Sequence, residues 1–244
     1  MAVPPRLPRT PSSYSCRMSP IAYVPRCAAR SSLQPLRGLR YHLTHWKVPE
    51  AAEAPDVPPA DGTAPQAAGA PPLLVLLHGW MDVGASFQFM VDELRAPRRI
   101  VAPDWRGFGR TVTPPTDSYW FADYLADLDA LLDALSPQQP VDLLGHSMGG
   151  NVAMLYAGVR PQRIRRLVNL EGFGMPRTRP AEAPGRIARW LDEVRNLRPL
   201  RSYASVDEVA ARLRTTNPRL PADKAAWLAG QWAAPDADGR WRLL

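Results

Sequence analysis

Ser147 is the residue of this chain best placed by its neighbours to do chemistry. It stands in Gly145-His146-Ser147-Met148-Gly149-Gly150, directly after the apolar run Val141-Asp142-Leu143-Leu144. That pattern predicts a strand that turns sharply into a helix with a serine at the apex. An apex residue of this kind sits in strained backbone, and the chain passes close to itself on either side. Gly145 and Gly149 supply positions without a Cβ at those approaches. Downstream, Val152, Leu155, Tyr156 and Val159 fall at i, i+3, i+4 and i+7, the spacing of a buried helical face. The N-terminus of such a helix points unpaired N–H groups and a positive dipole end at the serine. The chemistry expected of this arrangement is nucleophilic attack by a hydroxyl.

A serine nucleophile needs a base. The chain has four histidines, His42, His45, His78 and His146, and none follows Ser147. His146 is its neighbour, and a sharp turn should point the two side chains apart. Glu171 ends the next short apolar stretch, Arg166–Leu170, and is open between a catalytic acid and a structural carboxylate.

The elements that must hold these residues read as alternating strands and helices. Leu73–Leu77 is a buried strand ending in His78-Gly79-Trp80. A helix over Ala85–Leu94 buries Phe87, Val91 and Leu94. Arg99–Trp105 holds the next strand, followed by the loop Arg106-Gly107-Phe108-Gly109. Tyr119–Leu135 is a helix with Phe121, Tyr124, Leu125, Leu128, Leu132 and Leu135 on one face. Such alternation implies an α/β fold with a mostly parallel sheet covered on both faces. In such sheets the chemistry lies beyond the carboxyl ends of the strands, where His78-Gly79-Trp80, Asp104, Ser147 and Glu171 all fall. After Phe173 the pattern changes to helices without strands. Ile187, Trp190, Leu191 and Val194 mark one, Ser205-Val206-Asp207-Glu208 is a capping box opening another, and Pro221–Trp232 is a third.

Around this core lie segments of other character. Residues 1–37 read as a disordered basic tail, with six prolines in the first 25 positions. A transit peptide fits its Arg and Ser content, but the prolines disfavour the amphipathic helix one would form. A start at Met18 or later is the plainer account. An early strand is expected over 38–50, from the alternation of Leu39 to Trp46. Residues 51–72 read as a linker, because 14 of those 22 are Ala or Pro. The expected division is thus a core over 73–174 and an incomplete helical lid over 175–244. Trp241-Arg242-Leu243-Leu244 looks like the start of a further element.

The formal charge of +7 does not imply a nucleic-acid partner. Residues 1–49 hold eight basic side chains and no acid, whereas the remainder is nearly balanced. No basic stripe interleaved with aromatics appears. No apolar run approaches the length of a membrane-spanning helix. Cys16 and Cys27 both lie in the tail, so the domain is expected to hold no disulfide framework and no cysteine-ligated metal. That fits a reducing compartment, and a cytoplasmic location is the expectation.

Three motifs in order, Leu77-His78-Gly79-Trp80, Asp104-Trp105-Arg106-Gly107-Phe108-Gly109-Arg110 and Gly145-His146-Ser147-Met148-Gly149-Gly150, resemble those of the α/β-hydrolase family, within it the lidded serine hydrolases. The likeness spans Leu73 to Phe173. It implies that Ser147 is the nucleophile, with the backbone N–H groups of Met148 and Trp80 as the oxyanion hole. Each such donor is typically worth about 3–4 kcal/mol of barrier. It also implies that His78 shapes the oxyanion loop and that Asp104 braces its own loop. Some branches place the triad acid where Glu171 stands, and others one strand later. Dehalogenase and epoxide-hydrolase chemistries use Asp where this chain has Ser147. The implied activity is hydrolysis of an ester or related acyl small molecule through an acyl-enzyme, without metal or cofactor. A non-catalytic binding domain, an acyltransferase and a cofactor-free haloperoxidase-like enzyme remain open alternatives. Trp80, Met81, Met148, Phe173 and Met175 suggest an apolar acyl pocket. The family's last strands and its catalytic histidine have no counterpart here, so the chain is expected to be a truncated, weakly active form with an exposed sheet edge.

Overall fold

The computed structural model describes residues 22–47, 72–116, 118–174, 177–196 and 200–244. Its centre is a six-stranded sheet. The strands are β1 (Arg30–Leu36), β2 (Leu39–Lys47), β3 (Leu74–Leu77), β4 (Arg99–Pro103), β5 (Val141–His146) and β6 (Ile164–Leu170), in spatial order β1-β2-β4-β3-β5-β6. Strands β4, β3, β5 and β6 run parallel, and β1 and β2 join antiparallel at one side.

β3 is buried on both faces, which is why it reads as an unbroken apolar run. Leu73, Val75 and Leu77 enter one core with residues of α2 (Phe121–Leu135) and α3 (Met148–Val159). Leu74 and Leu76 enter the other with Trp46, Ile100, Ala102 and Val91, the last from the short helix α1 (Gln88–Val91). The helix expected over Ala85–Leu94 is shorter, a 3-10 turn over Gly84–Phe87 followed by α1.

The first correction concerns the tail. Residues 30–36 are not disordered but form β1, in register with β2 from Arg30↔His45 to Leu36↔Leu39. The connection is the two-residue turn Arg37-Gly38, with φ of 49° and 80°. Positive φ at both central residues is the hairpin geometry that matches strand twist. Pro35 is tolerated because β1 is an edge strand with one row of N–H groups facing solvent. Cys27 likewise belongs to the domain and is buried beside Trp46. The tail before residue 22, with Cys16, and the linker over 48–71 lie outside the described residues.

A second correction concerns α3. Its buried face is Met148, Gly149, Gly150, Val152, Ala153 and Tyr156, whereas Leu155 and Val159 are exposed. Small residues let α3 lie close to β5 and β6, so the contact stripe follows the glycines and Ala153 rather than the largest apolar side chains. Leu155 and Val159 share this exposure with Leu167, Val168 and Leu170 of the outermost strand β6.

After β6 come α4 (Ala183–Arg195), α5 (Val206–Thr216) and α6 (Ala222–Trp232). No residue of α4 is buried, although Ile187, Trp190, Leu191 and Val194 form an apolar face. α5 opens on Ser205, whose hydroxyl accepts the Glu208 N–H at 3.3 Å. The expectation of helices alone is corrected here. Ala233–Pro235 (β7) and Trp241–Leu243 (β8) form a hairpin, and Trp241 also bridges to Tyr203. Trp241-Arg242-Leu243, expected to start a further element, is the strand β8, and it lies in a small unit with its own core of Tyr203, Val209, Ala229 and Ala233. Among the described residues no helix is long and apolar enough to cross a membrane.

Candidate active site

The chain leaves β3 toward β4 on one side and returns to β5 on the other, so β3 and β5 flank a switch point in strand order. Their carboxyl ends carry His78-Gly79-Trp80 and Ser147, at the crevice where open α/β sheets place ligands.

Ser147 occupies the junction of β5 and α3 with φ 51° and ψ −113°. A non-glycine residue rarely adopts this backbone, and it persists only where the surroundings over-determine it. They do so here. The Ser147 N–H donates to the Leu170 carbonyl at 2.8 Å, and the Asn151 N–H donates to the Ser147 carbonyl at 3.0 Å. A Cβ on Gly145 would overlap the Gly149 carbonyl, and one on Gly149 would overlap the Leu77 carbonyl. Both glycines are thus fixed by backbone contact. Among the described residues the Ser147 hydroxyl has no hydrogen-bond partner.

The loop after β3 lies directly against the serine. A Cβ built on Gly79 would stand 3.3 Å from Ser147 Cβ and 3.1 Å from His146 Nδ1. His78 holds this loop from beneath and is fully buried. The Trp105 N–H donates to His78 Nε2 at 2.8 Å, which leaves the proton on Nδ1 to donate to the Gly79 carbonyl at 2.8 Å. Burial holds the His78 pKa below its ordinary value, so the ring stays neutral. Met148 is the first residue of α3, where backbone N–H groups lack intrahelical partners.

Three of the four histidines are hydrogen-bonded to groups other than the serine hydroxyl, and the fourth, His146, has only a long contact to Glu171. His42 Nδ1 meets Asp104 Oδ2 at 2.8 Å, and its Nε2 meets Ser31 Oγ at 3.0 Å. His45 Nε2 meets Ser32 Oγ at 2.7 Å. His146 faces Glu171, Nε2 to Oε2 at 3.8 Å, on an exposed surface. Glu171 is itself left-handed at φ 57°. Its side chain is 74% exposed and turns to His146.

Asp104 is a brace. Its carboxylate accepts the N–H groups of Gly84 at 2.7 Å and Arg110 at 2.9 Å besides meeting His42. Burial opposes its charge, but the His42 contact and the Arg110 N–H outweigh burial and hold its pKa below the ordinary carboxylate value. Arg106 grips the buried Asp127 through Nε at 2.5 Å and Nη2 at 2.7 Å, and the Tyr41 hydroxyl donates to the same carboxylate. This knot ties α2 to β2 and to the loop after β4.

A cavity of about 480 Å³ opens beside the loop, lined by Trp80, Ser118, Tyr119, Phe121, Tyr124 and Met148. Trp80 and Met148 belong to the expected set. Met81 is 41% and Phe173 92% exposed, and neither lines the cavity. Met175 lies outside the described residues. Phe121 and Tyr124 were missed as pocket residues because their spacing on α2 is that of a core face, and nothing in periodicity separates a wall from a core; Tyr119 precedes the helix and carries no periodic signal. Among the described residues no cluster of His, Cys, Asp and Glu could hold a metal.

The model of the alpha/beta hydrolase fold matches residues 72–242. The chain belongs to the α/β-hydrolase fold family. It is 29% identical over 173 residues to a serine hydrolase-like protein of Danio rerio, covering 68% of this chain and 52% of that one. To a 2-hydroxy-6-oxo-2,4-heptadienoate hydrolase of Pseudomonas putida it is 37% identical over 105 residues, 42% of this chain and 38% of that one. The thioesterase domain from the curacin biosynthetic pathway superposes with a TM-score of 0.70 at 26% identity, over 88% of this chain and 69% of that one. The matches thus span about half or less of the length of these curated relatives. Several of the similar proteins are named as hydrolases.

Proposed function

We propose that this chain carries the nucleophile half of a serine hydrolase that acts on an ester or related acyl small molecule through an acyl-enzyme. The observation that carries the reading is the strained backbone of Ser147, pinned between β5 and α3 with the Gly79–Trp80 loop against it. Ser147 Oγ attacks the acyl carbonyl. The N–H groups of Met148 and Trp80 take the developing oxyanion. The acyl group enters the cavity between Trp80, Tyr119, Phe121, Tyr124 and Met148. The serine proton needs an acceptor within hydrogen-bond reach, and none of the four histidines is hydrogen-bonded to Ser147. The base is then contributed from outside them, and the chain alone is weakly active or inactive. Glu171 remains the candidate acid of that triad by its place at the end of β6.

The placement of the histidines also favours a second reading, a binding domain that keeps the pocket and the elbow without turnover. Fluorophosphonate labelling of the folded chain separates the two. A covalent adduct on Ser147 that Ser147→Ala removes supports the hydrolase. A folded chain that never labels, with a small-molecule base supplied, supports the binding domain.

A further inference from the structure

The unit formed by α5, α6, β7 and β8 touches the catalytic half through a chain of hydrogen bonds that ends in the oxyanion loop. Trp232, the last residue of α6, donates its indole N–H to Ser86 Oγ at 2.8 Å across 146 residues of sequence. The Ser86 hydroxyl donates in turn to Asp82 Oδ1. The same carboxylate oxygen accepts the Val83 N–H at 2.7 Å. Asp82 follows Met81, which is left-handed at φ 54°, and Met81 follows Trp80. A serine hydroxyl has one proton. By accepting from Trp232 it is oriented to give that proton to Asp82. Trp232, Ser86 and Asp82 are all half-buried, where such a chain is stronger than in water. The unit has its own core, so its docking acts on Trp232 as one piece.

We propose that Trp232 is a positioning residue for the oxyanion loop: docking of the α5–α6 unit, through Ser86 and Asp82, holds residues 80–83 in the conformation that presents the Trp80 N–H beside Ser147. With the indole undocked, Ser86 loses its donor and is free to rotate away from Asp82. The turn at Met81 then keeps the Gly84 N–H bond to Asp104 and the Trp80–Phe108 contact but loses its tie to α6. The bearing of this coupling on catalysis rests on the role proposed for Trp80, but the coupling itself does not.

The test is amide hydrogen exchange of the folded 244-residue chain and of Trp232→Phe, which keeps an aromatic side chain at this position and removes the indole N–H. The expected result is exchange about fivefold to tenfold faster across residues 80–84, with β3 and β5 unchanged. Ser86→Ala should reproduce the effect, and the double variant should add nothing beyond either single one. Ser86→Ala also serves if Trp232→Phe does not fold. Unchanged exchange at 80–84, or a rise spread equally over β3 and β5, would overturn the proposal. Because exchange reads the loop and not turnover, this test can fail while Ser147 labels, or succeed while it does not.

Discussion

His78 Nε2 accepts the backbone N–H of Trp105 at 2.8 Å, and the bond fixes which nitrogen of the ring can donate to Gly79. The loop after β3 is therefore held by a histidine that must stay neutral. Its folded pKa is lowered by burial, so the unfolded chain binds the proton more readily. Stability is full above the unfolded value of about 6.5 and is lost as pH falls through it. His45 is shifted the same way, by burial first and then by the Arg99 and His42 charges. Urea unfolding at pH 8 and pH 5 should show a lower midpoint at pH 5. His78→Asn should weaken that difference without abolishing it, since His45 remains. An equal midpoint at both pH values would contradict this account.

Gly149 should tolerate no side chain. Its Cβ would overlap the Leu77 carbonyl, a backbone atom that cannot step aside. Gly149→Ala is expected to cost about 3 kcal/mol or more by denaturant titration. Gly158→Ala, where nothing lies within 4 Å, should be neutral or slightly stabilising.

Tyr124 offers a change in the other direction. Its hydroxyl is buried without a hydrogen-bond partner among the described residues, and burial pushes its pKa up to about 12. Tyr124→Phe removes an unsatisfied polar group and keeps the ring that packs edge-on to Trp105. The variant is expected to gain about 1 kcal/mol, read as a higher melting temperature. A loss of similar size would show that the hydroxyl has a partner.

Asp127 is the reverse case. Its buried carboxylate accepts from Tyr41, Arg37 and Arg106. Asp127→Ala leaves the Arg106 guanidinium without its fork partner. It should cost about 3–5 kcal/mol by denaturant titration. A loss below about 1 kcal/mol would show that the knot is not what joins α2 to the sheet.

Much of this was legible in the sequence, and the failures have physical causes. β3 and the Ser147 turn were readable because burial on both faces demands continuous apolar residues and backbone contact demands glycine. β1 was not, because Arg30–Leu36 has little apolar alternation and owes its form to pairing with β2 through Arg37-Gly38. Leu155 and Val159 misled because size was weighed above closeness of approach, while Gly149, Gly150 and Ala153 set the contact of α3. Met81 and Phe173 stand at strand ends, as a pocket residue should, yet point to solvent, and sequence position carries no direction. The aromatic wall of α2 lay hidden inside a pattern that also describes a core.

Ser147 is proposed to be a nucleophile whose base is none of the four histidines in the chain. The most direct measurement is the rate of fluorophosphonate adduct formation on Ser147, followed by intact mass, against added imidazole at pH 8. A slow rate is expected without imidazole and a rate that climbs with it. That dependence should be absent in Ser147→Ala and unchanged in His146→Ala. Rapid labelling without imidazole that disappears in His146→Ala would contradict it.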